Sequence, residues 1–278
     1  LTFPLGTDGW RGVIAEGCTF ASIEAIAAAT ADVYRTLENG DATRTVAGHD
    51  TRFFSPEFAW RAAAALARGG VDVLLTDRPI PTPAVSLHVR ELGLAGGVAI
   101  TASHNPGAYN GFKIKSHFGG SAPPELYERV ERRARERERE TGTPTSPPKA
   151  DASGSGRVEI RDLWTPYRDR LAAAVDLAAI RSSPLAVLAD SMHGAAGGLL
   201  PDLLAGGRLR VEGFRTERDP LFGGVNPEPV SGNLVASGER VVAGGFDLGV
   251  AQDGDADRLG VLDRRGRFVS PHRVLALL

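Results

Sequence analysis

The sequence predicts an α/β protein of two consecutive three-layer domains, each built on a mostly parallel mixed sheet. Three features lead there. Segments of helical and of strand periodicity alternate along the chain, and strands separated by helices imply crossover connections and a largely parallel sheet. The second half repeats the order of elements of the first, without a residue-level repeat. At 278 residues the chain has room for two domains of roughly 100 to 150 residues each.

Element by element, residues 20–37 (FASIEAIAAATADVYRTL) carry helical periodicity and 43–50 (TRTVAGHD) read as a strand. The next helix, SPEFAWRAAAALARGG, opens with Ser55 as cap and Pro56 at its first position, and closes on glycines. A strand follows in VDVLLTD, a helix in TPAVSLHVRELGL, a strand in GGVAI and another in GFKIK. Residues 125–140 (ELYERVERRARERERE) mix acids and bases three or four apart, the pattern of a solvated helix. The Pro, Gly and Ser content that follows marks a surface linker. The first domain is therefore expected over 1–140, the linker over 141–158 and the second domain over 159–270. In that second domain LWTPYRDRLAAAVDLAAI, GAAGGLLPDLLAGG and GNLVASGERVVAGG read as helices, and PLAVLAD, LRVEGF and DLGVAQ as strands.

Composition excludes several classes of function. Hydrophobic residues are 42% and charged residues 24%, the balance of a soluble globular chain. No apolar run approaches the roughly 18 residues of a membrane-spanning helix, and no signal-peptide pattern is present, so the cytoplasm is the expected compartment. Cys18 is the single cysteine, which rules out an intrachain disulfide and a thiolate metal cluster. A net charge of −2 gives no electrostatic reason to expect nucleic acid. The chain begins at Leu1 and stops in the apolar pattern PHRVLALL without a C-cap signal, which reads as a fragment.

In open parallel sheets ligands gather at the carboxyl ends of strands, and two unusual loops fall there. In DGDADR, Asp253, Asp255 and Asp257 alternate; in an extended segment, residues two apart share a side, so three carboxylates converge. A hard cation relieves their repulsion, and an all-oxygen ligand set suits Mg²⁺. An EF-hand is excluded because Arg258 stands at position six and Arg264 at position twelve. An acidic turn joining two strands is the plain alternative. In TASHNP no Ser-His-Asp spacing or nucleophile elbow is recognisable, whereas phosphoryl transfer needs mainly positioning and charge neutralisation. Ser103 could carry a phosphoryl group, His104 and Asn105 could hold the loop or substrate, and Lys113 could reach the transferring phosphate; the alternative is a capping turn. In GTDGWRG, Arg11 among glycines offers a planar charged fork for phosphate, or is simply a surface arginine.

Taken together and in this order, GTDGWRG, TASHNPGAYNGFKIK and DGDADR resemble the α-D-phosphohexomutase family, in its phosphoglucomutase/phosphomannomutase branch. HDTR at 49–52 and NPEP at 226–229 are similar to family segments whose role the sequence leaves open. The resemblance implies that Ser103 is phosphorylated and binds Mg²⁺ together with Asp253, Asp255 and Asp257. Arg11, Lys113 and Arg258 then surround the phosphoryl group, and His104 and Asn105 fix the loop. It implies transfer of phosphate between O1 and O6 of a hexose; TASHNP with GTDGWRG looks more like the glucose/mannose branch than the glucosamine one, and which hexose is preferred stays open. Glucose 1,6-bisphosphate or mannose 1,6-bisphosphate would serve as intermediate and activator. Lys113 and His104 both qualify to take the hydroxyl proton. Family members have four domains, so the chain would hold the first two and, at 271–278, the start of a truncated third. The missing C-terminal domains would then be its partners, hexose phosphates its substrates, and the fragment alone would lack full activity.

Two other readings compete. A haloacid-dehalogenase-like phosphatase also places alternating aspartates after a strand, but would use an aspartyl nucleophile and have no need of Ser103. A non-catalytic fragment would bind Mg²⁺ or a sugar phosphate without turnover. Val274, Leu275, Leu277 and Leu278 form an apolar stripe that is expected to lack cover in the isolated chain.

Overall fold

The computed structural model describes residues 6, 8–141 and 156–278, so most of the expected linker lies outside the described residues. The described chain forms two units: the first takes residues up to Ala102 and Ala108–Trp164, and the second takes Ser103–Gly107 and Thr165–Leu278. No described helix is long and apolar enough to cross a membrane.

In the first unit the elements are β1 (Trp10–Val13), α1 (Phe20–Tyr34), β2 (Arg44–His49), α2 (Ser55–Arg68), β3 (Asp72–Thr76), α3 (Thr82–Glu91), β4 (Gly96–Ile100), β5 (Tyr109–Ser116), α4 (Pro124–Thr141) and β6 (Val158–Arg161). The sheet order is β1-β5-β4-β2-β3-β6. The β4-β2-β3-β6 portion is parallel, whereas β5 runs antiparallel to both β4 and β1. The second domain was expected to begin at 159, but β6 pairs with β3 and extends the first sheet.

Local chemistry explains most of these elements. Thr19 and Ser22 form a reciprocal capping box at the start of α1. Ser55 does not cap α2. Phe54 takes that position with φ 61°, and the Ser55 hydroxyl turns instead to Asp50 (2.6 Å). The charged helix α4 is not solvated all round: Leu126, Tyr127, Val130 and Ala134 are buried in the core shared with α1 and α2. Arg133 and Arg137 both reach Asp32 of α1, at 2.7 and 2.8 Å. The pattern of alternating charge hid this stripe because its apolar members are few and its arginine stems also cover apolar surface.

The glycine pair that opens β4 lets helices close on both faces of the sheet. Successive strand residues face opposite ways, so a methyl group on Gly96 would lie 2.5 Å from the Tyr34 hydroxyl of α1, and one on Gly97 2.6 Å from Val89 of α3. Tyr34 uses that space to donate to the Gly97 and Lys115 carbonyls (2.9 and 3.0 Å). Gly96→Ala is expected to lower stability by about 1–3 kcal/mol, the usual cost of overpacking a core. A urea midpoint unchanged from the parent would refute the tight fit.

The second unit contains α5 (Trp164–Ala174, its first residue still in the first unit), α6 (Leu177–Ser182), β7 (Ala186–Asp190), α7 (Leu199–Leu204), β8 (Arg210–Phe214), α8 (Val235–Ala243), β9 (Leu248–Gln252), β10 (Leu259–Asp263), β11 (Phe268–Val269) and α9 (Pro271–Leu277). The single helix expected over 163–180 is broken where Asp176 caps a new helix by accepting from the Ala179 amide (2.9 Å). The helix expected from Gly194 starts only at Leu199, since Met192, His193 and Gly197 have positive φ. In α9 Leu275 and Leu277 are exposed, Leu277 at 82%, and Val274 is half-buried.

The sheet order β11-β10-β9-β7-β8 repeats the β1-β5-β4-β2-β3 of the first. β9-β7-β8 is parallel, and β10 is antiparallel to β9 and β11. Residues 101–108 and 253–258, the two unusual loops, therefore occupy the same topological place, the connection from a central parallel strand to its antiparallel neighbour.

Candidate functional site

The loop 103–107 leaves β4 but belongs with the second unit. There the Ser103 hydroxyl donates to Asp253 Oδ2 at 3.1 Å. Ser103 itself is buried, with φ 53°. A non-glycine residue in the left-handed region carries strain that surrounding contacts must hold. Gly254 makes this seat possible, because a Cβ there would meet the Ser103 carbonyl oxygen at 2.5 Å.

Asp253, Asp255 and Asp257 each direct one carboxylate oxygen into a cluster whose members all lie within 4.8 Å of one another. Convergence was expected, but from a strand; residues 254–257 form a turn, with Ala256 at φ 57°. The turn is wound around Asp253, whose Oδ1 accepts the amides of Asp257 (2.9 Å) and Arg258 (3.0 Å). Asp253 and Asp255 are buried and Asp257 is exposed. Burial, and then repulsion from Asp255 and Asp257, push the Asp253 carboxyl up to about 8. Two buried carboxylates this close are costly as bare anions. An all-oxygen donor set with this charge is the chemistry of a hard divalent cation site, so the residues present fit Mg²⁺.

Behind the turn lies the NPEP segment. The Gly254 amide donates to the Pro227 carbonyl (3.1 Å), and Arg258 Nη1 is 3.4 Å from Glu228 Oε1. Arg258 thus stands at the edge of the acidic turn, held at its base by the turn and at its tip by Glu228. His104 and Asn105 are half-buried, adjacent to Ser103 in its loop.

The other predicted cations are in the first unit. Arg11 of β1 pairs with Gly111 of β5, which makes Arg11 and Lys113 diagonal neighbours on one face. Sequence reasoning missed the residue that ties them together. Asp8 Oδ2 lies 3.2 Å from Arg11 Nη2 and 3.2 Å from Lys113 Nζ, while Oδ1 accepts from Ser121 (3.0 Å). Burial alone would raise the Asp8 pKa, but Lys113, Ser121 and Lys115 together outweigh it and lower it. The signal was available in GTDGWRG, where a carboxylate stands three residues before the arginine. Lys113 is 1% exposed, so burial works against its ammonium form while the Asp8 carboxylate works for it. Asp8→Asn is expected to lower the Lys113 pKa, the usual direction when an adjacent opposite charge is lost. Titration of a ¹⁵N-labelled lysine side chain would check it.

Comparison with known proteins bears on this geometry. The model of phosphoglucomutase/phosphomannomutase α/β/α domain I matches residues 4–141, and that of domain II matches 165–266. The chain belongs to the phosphoglucomutase/phosphomannomutase family. Among curated members, a probable phosphoglucosamine mutase of Methanothermobacter thermautotrophicus is 36% identical over 98% of this chain. A phosphoglucomutase/phosphomannomutase of Thermococcus kodakarensis is 34% identical over the same share. The chain spans 57% and 58% of the length of these two relatives. The crystal structure of a putative phosphomannomutase from Thermus thermophilus superposes with a TM-score of 0.86 at 38% identity, covering 100% of this chain and 61% of that one. As a family member the chain has the two mixed-sheet α/β domains expected of it, and the relatives' names make mutase chemistry the class to test.

Proposed function

We propose that this chain is the phosphoserine-bearing and metal-binding portion of a phosphohexomutase that interconverts hexose 1-phosphate and hexose 6-phosphate, with glucose or mannose as the hexose favoured by the loop motifs and glucosamine kept open by the relatives' names. The observation that carries this reading is the hydrogen bond from Ser103 to Asp253, inside a cluster of three carboxylates. A hydroxyl seated there is placed where a phosphate on it would lie beside a cation site.

Asp253, Asp255 and Asp257 would hold Mg²⁺ together with an oxygen of the Ser103 phosphate. When bound, the ion supplies charge neutralisation to the phosphoryl oxygens. Ser103 carries the phosphoryl group, and the bond from Oγ to phosphorus breaks as one forms to the free sugar hydroxyl. The hydroxyl proton leaves to His104, or to Lys113 where that side chain is neutral at that step, and Oγ then waits to receive the other phosphate of the bisphosphorylated sugar. Arg11, Lys113 and Arg258 stabilise the charge on the equatorial oxygens, and Asn105 with His104 keeps the loop in place. Transfer between the two ends of the sugar needs the bisphosphate to turn over. In this proposal that task falls to the remainder of a family-length protein.

Intact mass before and after incubation with Mg²⁺ and glucose 1,6-bisphosphate tests the centre directly. Phosphate mapping to Ser103, and lost in Asp255→Ala, is the expected result. A phosphate on any other residue would overturn the assignment of Ser103. No phosphate on either this chain or a family-length protein would overturn the mutase reading.

A further inference from the structure

The HDTR segment at 49–52 has no part in the chemistry above, yet it forms a buried polar knot in the first unit. Asp50 follows directly after β2, and its carboxylate is fully used. Oδ1 accepts from the Arg52 amide (3.0 Å) and the Ser55 hydroxyl (2.6 Å). Oδ2 accepts from Arg52 Nε (3.0 Å) and the Thr101 hydroxyl (2.7 Å). Arg52 is 0% exposed and spends another donor on the Tyr109 carbonyl (3.0 Å). Asn110 donates to the Phe53 carbonyl (3.2 Å) and the Ser55 hydroxyl (2.9 Å), and accepts from the Gly111 amide (2.8 Å).

Thr101 is the last residue but one before Ser103, and Tyr109 and Asn110 are the first residues of β5 after the loop. The knot therefore binds both roots of the serine loop to one buried ion pair. A buried pair of this kind is a poor stabiliser compared with apolar packing. Its measurable consequence is geometric, since fully satisfied polar networks fix a unique arrangement.

The second unit repeats the device. Asp190, the last residue of β7, accepts from the Met192 amide (2.8 Å), from Arg215 Nε (2.9 Å) and Nη2, and from the Ser237 hydroxyl. β7 has the same place in its sheet as β2, and each knot combines Asp, Arg and Ser with an amide two residues on. Just beyond it, the Ala195 amide donates to the Gly254 carbonyl of the acidic turn (2.9 Å).

We infer that Asp50, Arg52 and Thr101 are positioning residues of the Ser103 loop, and that they set its geometry without touching the reacting groups. This rests on the reading of Ser103 as the phosphate carrier, but its test does not need phosphorylation. Hydrogen exchange of the 101–110 peptide is followed by mass spectrometry in three variants of the whole chain. Thr101→Val removes the hydroxyl that reaches Asp50, and Thr101→Ser keeps it. Thr45→Val removes a comparable buried bond, from Thr45 to the Gly96 carbonyl (2.8 Å), at the other end of the β4 pairing.

Thr101→Val is expected to speed exchange of the 101–110 peptide about five- to tenfold, the effect of one lost buried hydrogen bond on local opening. Thr101→Ser should restore protection, and Thr45→Val should leave this peptide unchanged at equal loss of global stability. Equal acceleration in Thr45→Val, or none in Thr101→Val, would show the knot to be structural only and overturn the inference. The phosphate-mapping experiment on the unaltered chain fails or succeeds independently of these outcomes.

Discussion

Ser103→Ala is expected to abolish phosphate incorporation from glucose 1,6-bisphosphate and, in a family-length protein, to reduce mutase turnover by at least about 10³-fold, as loss of a covalent carrier does. The variant should still fold. The side-chain bond to Asp253 that is lost has a net cost of about 1 kcal/mol. The decisive comparison is between carriers. If an aspartate were the nucleophile, as in the dehalogenase-like phosphatases, hydrolysis of a phosphate ester would persist in Ser103→Ala and disappear in Asp253→Asn. Persistence of any phosphoenzyme in Ser103→Ala would sink the proposed role. Loss of phosphate without loss of the 101–110 exchange protection would show that chemistry, and not loop integrity, had been removed.

What the sequence made legible, and what it hid, divides along the range of the interactions. The strands and most helices follow from local periodicity and are present. The segments where prediction overran are those in which single residues stop a helix, Asp176 by capping a new one and the positive φ of Met192 and His193 by breaking the approach to α7. The three aspartates were found for an incomplete reason. Alternation suggested a strand, whereas the carboxylates meet because the turn folds its amides onto Asp253. The Asp50 knot was beyond reach, since Thr101 lies 51 residues beyond Asp50 and Tyr109 57 residues beyond Arg52. Nothing in a hydrophobic pattern marks an aspartate as buried when its compensation comes from so far away. Asp8 was hidden differently: it is local to Arg11, but its meaning depends on Lys113, which only the β1-β5 register brings near.

Asp253→Asn carries the second large effect, and its sign depends on pH and metal. In the metal-free chain the Asp253 carboxyl is raised to about 8, against about 3.9 when unfolded. Between those values the native state keeps a proton that the unfolded state has released. Stability is therefore greatest below about pH 4 as far as this group is concerned, and it declines as pH rises towards 8. If the cluster holds Mg²⁺ as proposed, the ion would reverse the trend by favouring the ionised cluster. At one hundred times its dissociation constant it would add about 2.7 kcal/mol, and more at pH 8 than at pH 6 because fewer protons would have to be displaced. Asparagine keeps the shape of the side chain and an oxygen for the Asp257 and Arg258 amides, but removes both the titration and one ligand charge. At pH 8 without Mg²⁺, Asp253→Asn should melt above the parent chain; with Mg²⁺ it should melt below it. Thermal melts at pH 6 and 8, with Mg²⁺ and with EDTA, give the four comparisons. A variant that melts below the parent in EDTA at pH 8 would mean that the three carboxylates do not repel one another enough to need a cation, and the metal-binding role would lose its physical basis.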